Sequence, residues 1–160
     1  MGKLLKRLRE NYPDMFKSVI KEPLTLQERL LHLNINTAQE HKMRELAFKE
    51  MDLNDICKDS AGPTGPDTID LDLLVGTCRS TQAIDWIEYL GSLHKMTNFE
   101  HPPETYQNIL SSSPDNDLPS VIYYNGHYYI DGGGNHRLTI GKCMGITRAK
   151  VYIQSYKDKP

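Results

Sequence analysis

Cysteine is scarce in this chain. Three residues in 160, Cys57, Cys78 and Cys143, are odd in number, widely spaced and free of any C-x-x-C pairing, which argues against both a disulfide framework and a zinc knuckle. Long apolar runs are missing too. No stretch approaches the roughly 18–20 residues that span a bilayer. The N-terminus carries positive charge without an apolar segment behind it, unlike a secretory leader. Met1-Gly2 is followed by Lys6 where a myristoylation signal has Ser or Thr. Nor is there an excess of one charge: 19 Lys and Arg against 21 Asp and Glu give −2. That balance argues against a uniformly basic nucleic-acid binder, while a local basic patch stays open. These absences point to a soluble cytoplasmic protein with no membrane partner. Internal repeats and low-complexity tracts are absent as well. What is present is enough chain for one ordinary core, since a domain of this size buries roughly 68–70% of its unfolded surface.

The hydropathy pattern changes near residue 60. Before it the chain reads as helical. Leu4, Leu5 and Leu8, then Tyr12, Met15, Phe16, Val19 and Ile20, recur at helical spacing, with Pro13 and Pro23 as punctuation. Thr25-Leu26-Gln27-Glu28 and Thr37-Ala38-Gln39-Glu40 both match a capping box; the second opens a helix carrying Met43, Leu46, Ala47 and Met51. Ser60 to Asp67 is rich in Gly and Pro and reads as a linker. Beyond it a short strand is expected at Thr68–Leu71. A helix is expected from Thr81 to Lys95, with Ala83, Trp86, Ile87, Leu90 and Leu93 on one stripe, and a weaker one from Pro103 to Leu110. Val121–Tyr124, Asn125-Gly126 and His127–Ile130 form a hairpin signal, because Asn-Gly suits a turn with two positive φ values. A helix from Asn135 to Met144 should stop at Gly145, and Arg148–Ile153 should be a strand. The expected organisation is a helical extension over 1–60 and an α/β (α+β) domain over 67–155 with a small mixed sheet.

Gly132, Gly133 and Gly134 join the hairpin to that helix. Three consecutive glycines cost backbone entropy, so a use for them is sought. Such a turn can aim free N–H groups at one point, where the helix dipole adds positive charge. His136 and Arg137 fall in the first helical turn, where cations oppose the dipole unless an anion sits above them. Arg137 is then a fork for phosphate oxygens and His136 a hydrogen-bond donor or proton carrier. The competing reading is a plain glycine turn whose Arg137 pairs with a neighbouring acid such as Asp131 or Asp70. The segment is neither a Walker A loop nor a Rossmann fingerprint, since Gly141-Lys142 is followed by Cys143.

Tyr128-Tyr129-Ile130-Asp131-Gly132-Gly133-Gly134-Asn135-His136-Arg137-Leu138, continued by Cys143-Met144-Gly145-Ile146, resembles the signature of the ParB/sulfiredoxin-like superfamily. Upstream, Ile69-Asp70-Leu71, Arg79 and the segment with Trp86 and Leu90 are similar to that family's first strand, arginine and following helix. The likeness covers about residues 67–155. It implies a small α/β fold whose turn holds nucleotide phosphates: members include ATP-dependent sulfiredoxins, CTP-binding partition proteins, ADP-dependent serine kinases and proteins described as nucleases. Carried over, Gly132, Gly133, Gly134, Asn135, His136 and Arg137 become phosphate contacts and Arg79 an opposing arginine. The implied ligand is ATP, ADP or CTP, with Mg²⁺ as a candidate companion. The departures bear on chemistry. Sulfiredoxins have a nucleophilic Cys where this chain has Asn135, and an amide cannot replace a thiolate. Partition proteins have Glu and Arg at the places of Asn135 and His136 and continue into a DNA-binding domain.

Asp131, at the strand end, is a candidate to place Mg²⁺ or act as a base, or simply to cap the turn. Asp70 and Asp72 would share a strand face and so either help hold a metal or stand as solvated carboxylates. Ser80 and Thr81 should cap the Trp86 helix, the other reading being a hydroxyl contact to phosphate. Tyr123, Tyr124, Tyr128 and Tyr129 suit either base stacking or sheet packing. His94, His101 and His127 lack metal-ligand spacing, and Cys143 reads as a small buried residue. Lys3, Lys6, Arg7 and Arg9 make a basic face for nucleic acid, an anionic surface, an acidic protein partner or water. The leading expectation is nucleotide binding with hydrolysis or phosphoryl transfer. DNA binding or nuclease activity and a non-catalytic interaction module are the alternatives. Residues 66–160 carry eight Lys and Arg against 11 Asp and Glu, which weakens the DNA reading.

Overall fold

A computed structural model describes residues 23–160; the basic face of Lys3, Lys6, Arg7 and Arg9 and the apolar pattern from Leu4 to Ile20 lie outside them. The chain adopts the expected α+β class with a mixed sheet. The described residues begin with α1 (Leu26–His32) and α2 (Thr37–Glu45), then β1 (Lys49–Glu50), β2 (Ile56–Lys58), β3 (Gly65–Asp70) and β4 (Leu74–Thr77). The helices α3 (Trp86–Ser92) and α4 (Tyr106–Ser112) precede the hairpin β5 (Ser120–Tyr124) and β6 (His127–Ile130), followed by α5 (Asn135–Met144) and β7 (Arg148–Asp158). Strand order is β1-β4-β6-β5-β7-β2, and β3 also pairs with β7. β1–β4, β4–β6 and β5–β7 are parallel, the other pairs antiparallel.

The hairpin turns on Asn125 (φ 54°) and Gly126 (φ 82°), as the dipeptide predicts. Along β7, Ala149, Val151 and Ile153 alternate inward onto the helices. They meet Val121 and Ile130 of the hairpin, Trp86, Ile87 and Leu90 of α3, Leu110 of α4 and Leu138 and Ile140 of α5 in a single cluster. Leu30, Leu33, Ile35 and Met43, from the segment before residue 60, belong to that same cluster. Trp86 is fully buried and its indole Nε1–H donates to the Ala47 carbonyl at 2.9 Å.

Several local expectations need correction. The segment before residue 60 is not wholly helical, because β1 and β2 join the sheet. Thr25 does form the capping box with Glu28, but α2 is capped by Asn36, one residue before the second candidate box, and it ends at Glu45, so Leu46, Ala47 and Met51 lie beyond it. β3 starts at Gly65, inside the glycine–proline linker, drawn into the sheet by pairing with β7. The Trp86 helix starts only at Trp86, capped by Asp85 through the Glu88 N–H. Thr81 instead turns its hydroxyl to the Ala83 N–H, which diverts the backbone before the helix. The weaker helix is displaced: a 3₁₀ turn fills Pro103–Thr105, and α4 begins at Tyr106. Asp70 and Asp72 do not share a strand face. Asp70 ends β3 and its carboxylate accepts the Asp72 N–H, opening a 3₁₀ turn.

Candidate functional site

The glycine turn is built by a steric demand. Gly134 precedes α5 with φ at 80°, and a Cβ there would lie 2.3 Å from Pro119 Cβ. Both conditions select glycine. Gly132 is different: its φ is not in the left-handed region, and a Cβ would meet nothing within 4 Å. Gly133 meets only Ser120 Oγ, at 3.8 Å. The fold therefore requires one of the three glycines for steric reasons and leaves the other two bare beside a cleft.

That cleft has two adjoining compartments, of about 360 and 510 Å³. Gly132 to Arg137 line the first, together with Lys95 and Asp117; Ser80, Thr81 and Ser92 line the second. Arg79, His94, Asn135 and His136 form the wall common to both. Three cationic side chains, Arg79, Lys95 and Arg137, thus face one carboxylate, Asp117, in the first compartment. Asn135, His136 and Arg137, the first residues of α5, line the same compartment, and a helix N-terminus leaves its first N–H groups without intrahelical partners.

Each site residue has a definite role in this geometry. Asn135 is buried; its Oδ1 accepts the Tyr89 hydroxyl at 2.6 Å, and Tyr89 in turn lies 3.2 Å from Thr77 Oγ1. The Asn135 amide nitrogen makes no bond among the described residues. His136 is buried too, and its Nε2 accepts the Lys95 N–H at 3.0 Å. This acceptor role places the ring proton on Nδ1, which has no partner among the described residues. Burial first, then the neighbouring His94, Lys95, Arg79 and Arg29, push the His136 pKa down to about 4, so the ring is neutral at pH 7 and serves as a donor from Nδ1.

Arg137 does have an acidic neighbour, but it is Asp117 rather than Asp131 or Asp70. One guanidinium nitrogen donates to the Asp117 carbonyl at 2.8 Å and another lies 3.5 Å from its carboxylate. Asp131 does not line the cleft. Its carboxylate accepts the Gly132 N–H at 3.0 Å, and its charge is felt by Cys78 and Tyr156. It caps the turn. Among the described residues no group of three His, Cys, Asp or Glu is placed to hold a metal. The single carboxylate of the cleft is too few for an all-protein magnesium site. The four hairpin tyrosines lie in the sheet; none lines either compartment. Cys143 is fully buried, with its thiol pKa raised by desolvation.

No family model, curated protein or solved structure matches the chain. The site therefore stands on its own residues. Lys95, His94 and Asp117 had no place in the sequence-derived site. They arrive by tertiary folding, from the segment after α3 and the loop before β5, and no local motif marks them.

Proposed function

We propose that the cleft at the α5 N-terminus binds a nucleotide through its phosphates. The observation that carries this reading is the convergence of Arg79, Lys95 and Arg137 on a helix N-terminus flanked by the bare glycines Gly132 and Gly133. Phosphate oxygens would take the α5 N–H groups, the Nδ1–H of His136 and the free amide of Asn135, and Arg137 would exchange part of its Asp117 contact for them. The order of hairpin, glycine turn, His-Arg helix and strand accords with the ParB/sulfiredoxin-like resemblance, from which ATP, ADP and CTP come as first ligands to try. Phosphoryl transfer or hydrolysis suits such a site, because that chemistry asks chiefly for positioning and charge neutralisation. Asp117, the one carboxylate residue lining the cleft among the described residues, would accept a proton from an attacking hydroxyl once Arg137 has turned to the phosphate.

Calorimetric titration with ATP, ADP and CTP, with and without Mg²⁺, tests the reading. Saturable binding that Arg137→Ala weakens by about tenfold, or about 1.4 kcal/mol, is the expected result. Absence of binding at millimolar concentration, or identical binding by the variant, refutes it.

A further inference from the structure

We infer that the cleft recognises a chain of linked phosphates and leaves the base unread, so that nucleoside triphosphates of any base and inorganic tripolyphosphate are equivalent ligands. The inference rests on the phosphate reading above and narrows it to a substrate class.

Three observations carry it. The cationic wall is continuous: Arg79 borders both compartments, with Lys95 and Arg137 on the first. A single phosphate at the α5 N-terminus would leave the second compartment unfilled, whereas linked phosphates would run past Arg79 into it. Next, two buried polar side chains on that wall keep unused donors. Asn135 and His136 are only 5% and 7% exposed, their Oδ1 and Nε2 are engaged, and their Nδ2 and Nδ1 have no partner among the described residues. Thr139 Oγ1 is the one buried side-chain polar atom without a partner among the described residues, so Nδ2 and Nδ1 reach open space in the cleft, where an oxyanion bordering both compartments would accept from them. Finally, the lining offers a base no large aromatic platform: its open rings are the imidazoles of His94 and His136, packed edge to face with centroids 5.2 Å apart. Among the described residues the apolar lining is Leu118 in one compartment and Leu93 in the other. The one phenol ring on the wall, that of Tyr89, is buried in the core with its hydroxyl bound to Asn135. What remains is hydroxyl-rich: Ser80, Thr81 and Ser92. Base stacking contributes roughly 1–3 kcal/mol where aromatic platforms exist; here charge-assisted hydrogen bonds to phosphate dominate.

The test titrates the full chain, at one pH and ionic strength, with tripolyphosphate, ATP, CTP, GTP and orthophosphate. The expected pattern is tripolyphosphate and the three nucleotides within about fivefold of one another, with orthophosphate at least about tenfold weaker. Arg79→Gln, at an exposed position that keeps the fold, should weaken tripolyphosphate about tenfold and orthophosphate less than threefold. One nucleotide binding tenfold tighter than tripolyphosphate overturns the inference while leaving the phosphate site intact. Orthophosphate binding as tightly as tripolyphosphate overturns it too. Failure of every compound to bind removes the phosphate site itself, and the inference with it.

Discussion

His136 couples this cleft to pH. In the folded protein its pKa lies at about 4, chiefly through burial, against 6.5 when exposed. The unfolded chain therefore takes up a proton as pH falls through 6.5, while the folded protein stays neutral until about 4. Stability is fullest above pH 6.5 and declines between there and pH 4, by at most about 3 kcal/mol from this residue. Urea midpoints of the wild type should fall over that window, and His136→Gln should flatten the fall. Equal slopes in the two proteins would show that the ring does not titrate as described. His136 and Arg137 were legible because they adjoin a glycine turn. Lys95 was not, since its role depends on its backbone N–H reaching a histidine 41 residues away in sequence. Asp131 stayed open between a catalytic carboxylate and a turn cap for a related reason: position at a strand end does not tell which way a carboxylate turns.

At the scale of the element, the glycine turn separates what the fold needs from what a ligand needs. Gly134→Ala forces a side chain onto a left-handed backbone and against Pro119, and should cost about 2 kcal/mol or more. Gly132→Ala has open space and should stay within about 0.5 kcal/mol of wild type. Its methyl group stands at the cleft, so nucleotide affinity should fall at least about threefold. Thermal melts and titrations on the pair read both effects. A Gly132→Ala protein that binds as wild type would count against backbone approach by phosphate. Helix existence was readable from apolar spacing, and so were the starts of α1 at the Thr25 box and of α5 at Asn135; those of α2 and α3 were not, because Asn36 and Asp85 compete with nearby threonines for the same role. At α3 the apolar stripe pointed to the right buried face, but the turn made by Thr81 delayed the helix.

Across the whole molecule, the segment before residue 60 is tied to the cleft by one buried cation. Arg29 donates to the Leu90 and Leu93 carbonyls at 2.6 and 2.8 Å and to that of Leu24 at 3.0 Å, and it stacks over Phe99. It holds the end of α3, from which His94 and Lys95 extend into the first compartment. Replacing it, as in Arg29→Met, strands the Leu93 carbonyl, leaves that of Leu90 only its bond from the Leu93 N–H, and should destabilise the protein by roughly 2–4 kcal/mol. Nucleotide affinity should weaken although Arg29 touches no ligand. Unchanged denaturant midpoints would contradict this account. The sequence suggested a boundary near residue 60 from its glycines and prolines, but composition does not show where a buried side chain reaches across. The α+β class was readable from the alternation of periods, and the strand order was not, because β7 gathers partners from distant parts of the chain.

That strand sets an order of events in synthesis. β7 pairs with β5 along one edge and with β3 and β2 along the other. Three strands made earlier must therefore wait, edges unpaired, until Arg148–Asp158 leaves the ribosome. Such long-range closure is slow and exposes strand edges to neighbouring chains. Nascent chains arrested before Arg148 should consequently recruit holding chaperones, and release of the next dozen residues should discharge them.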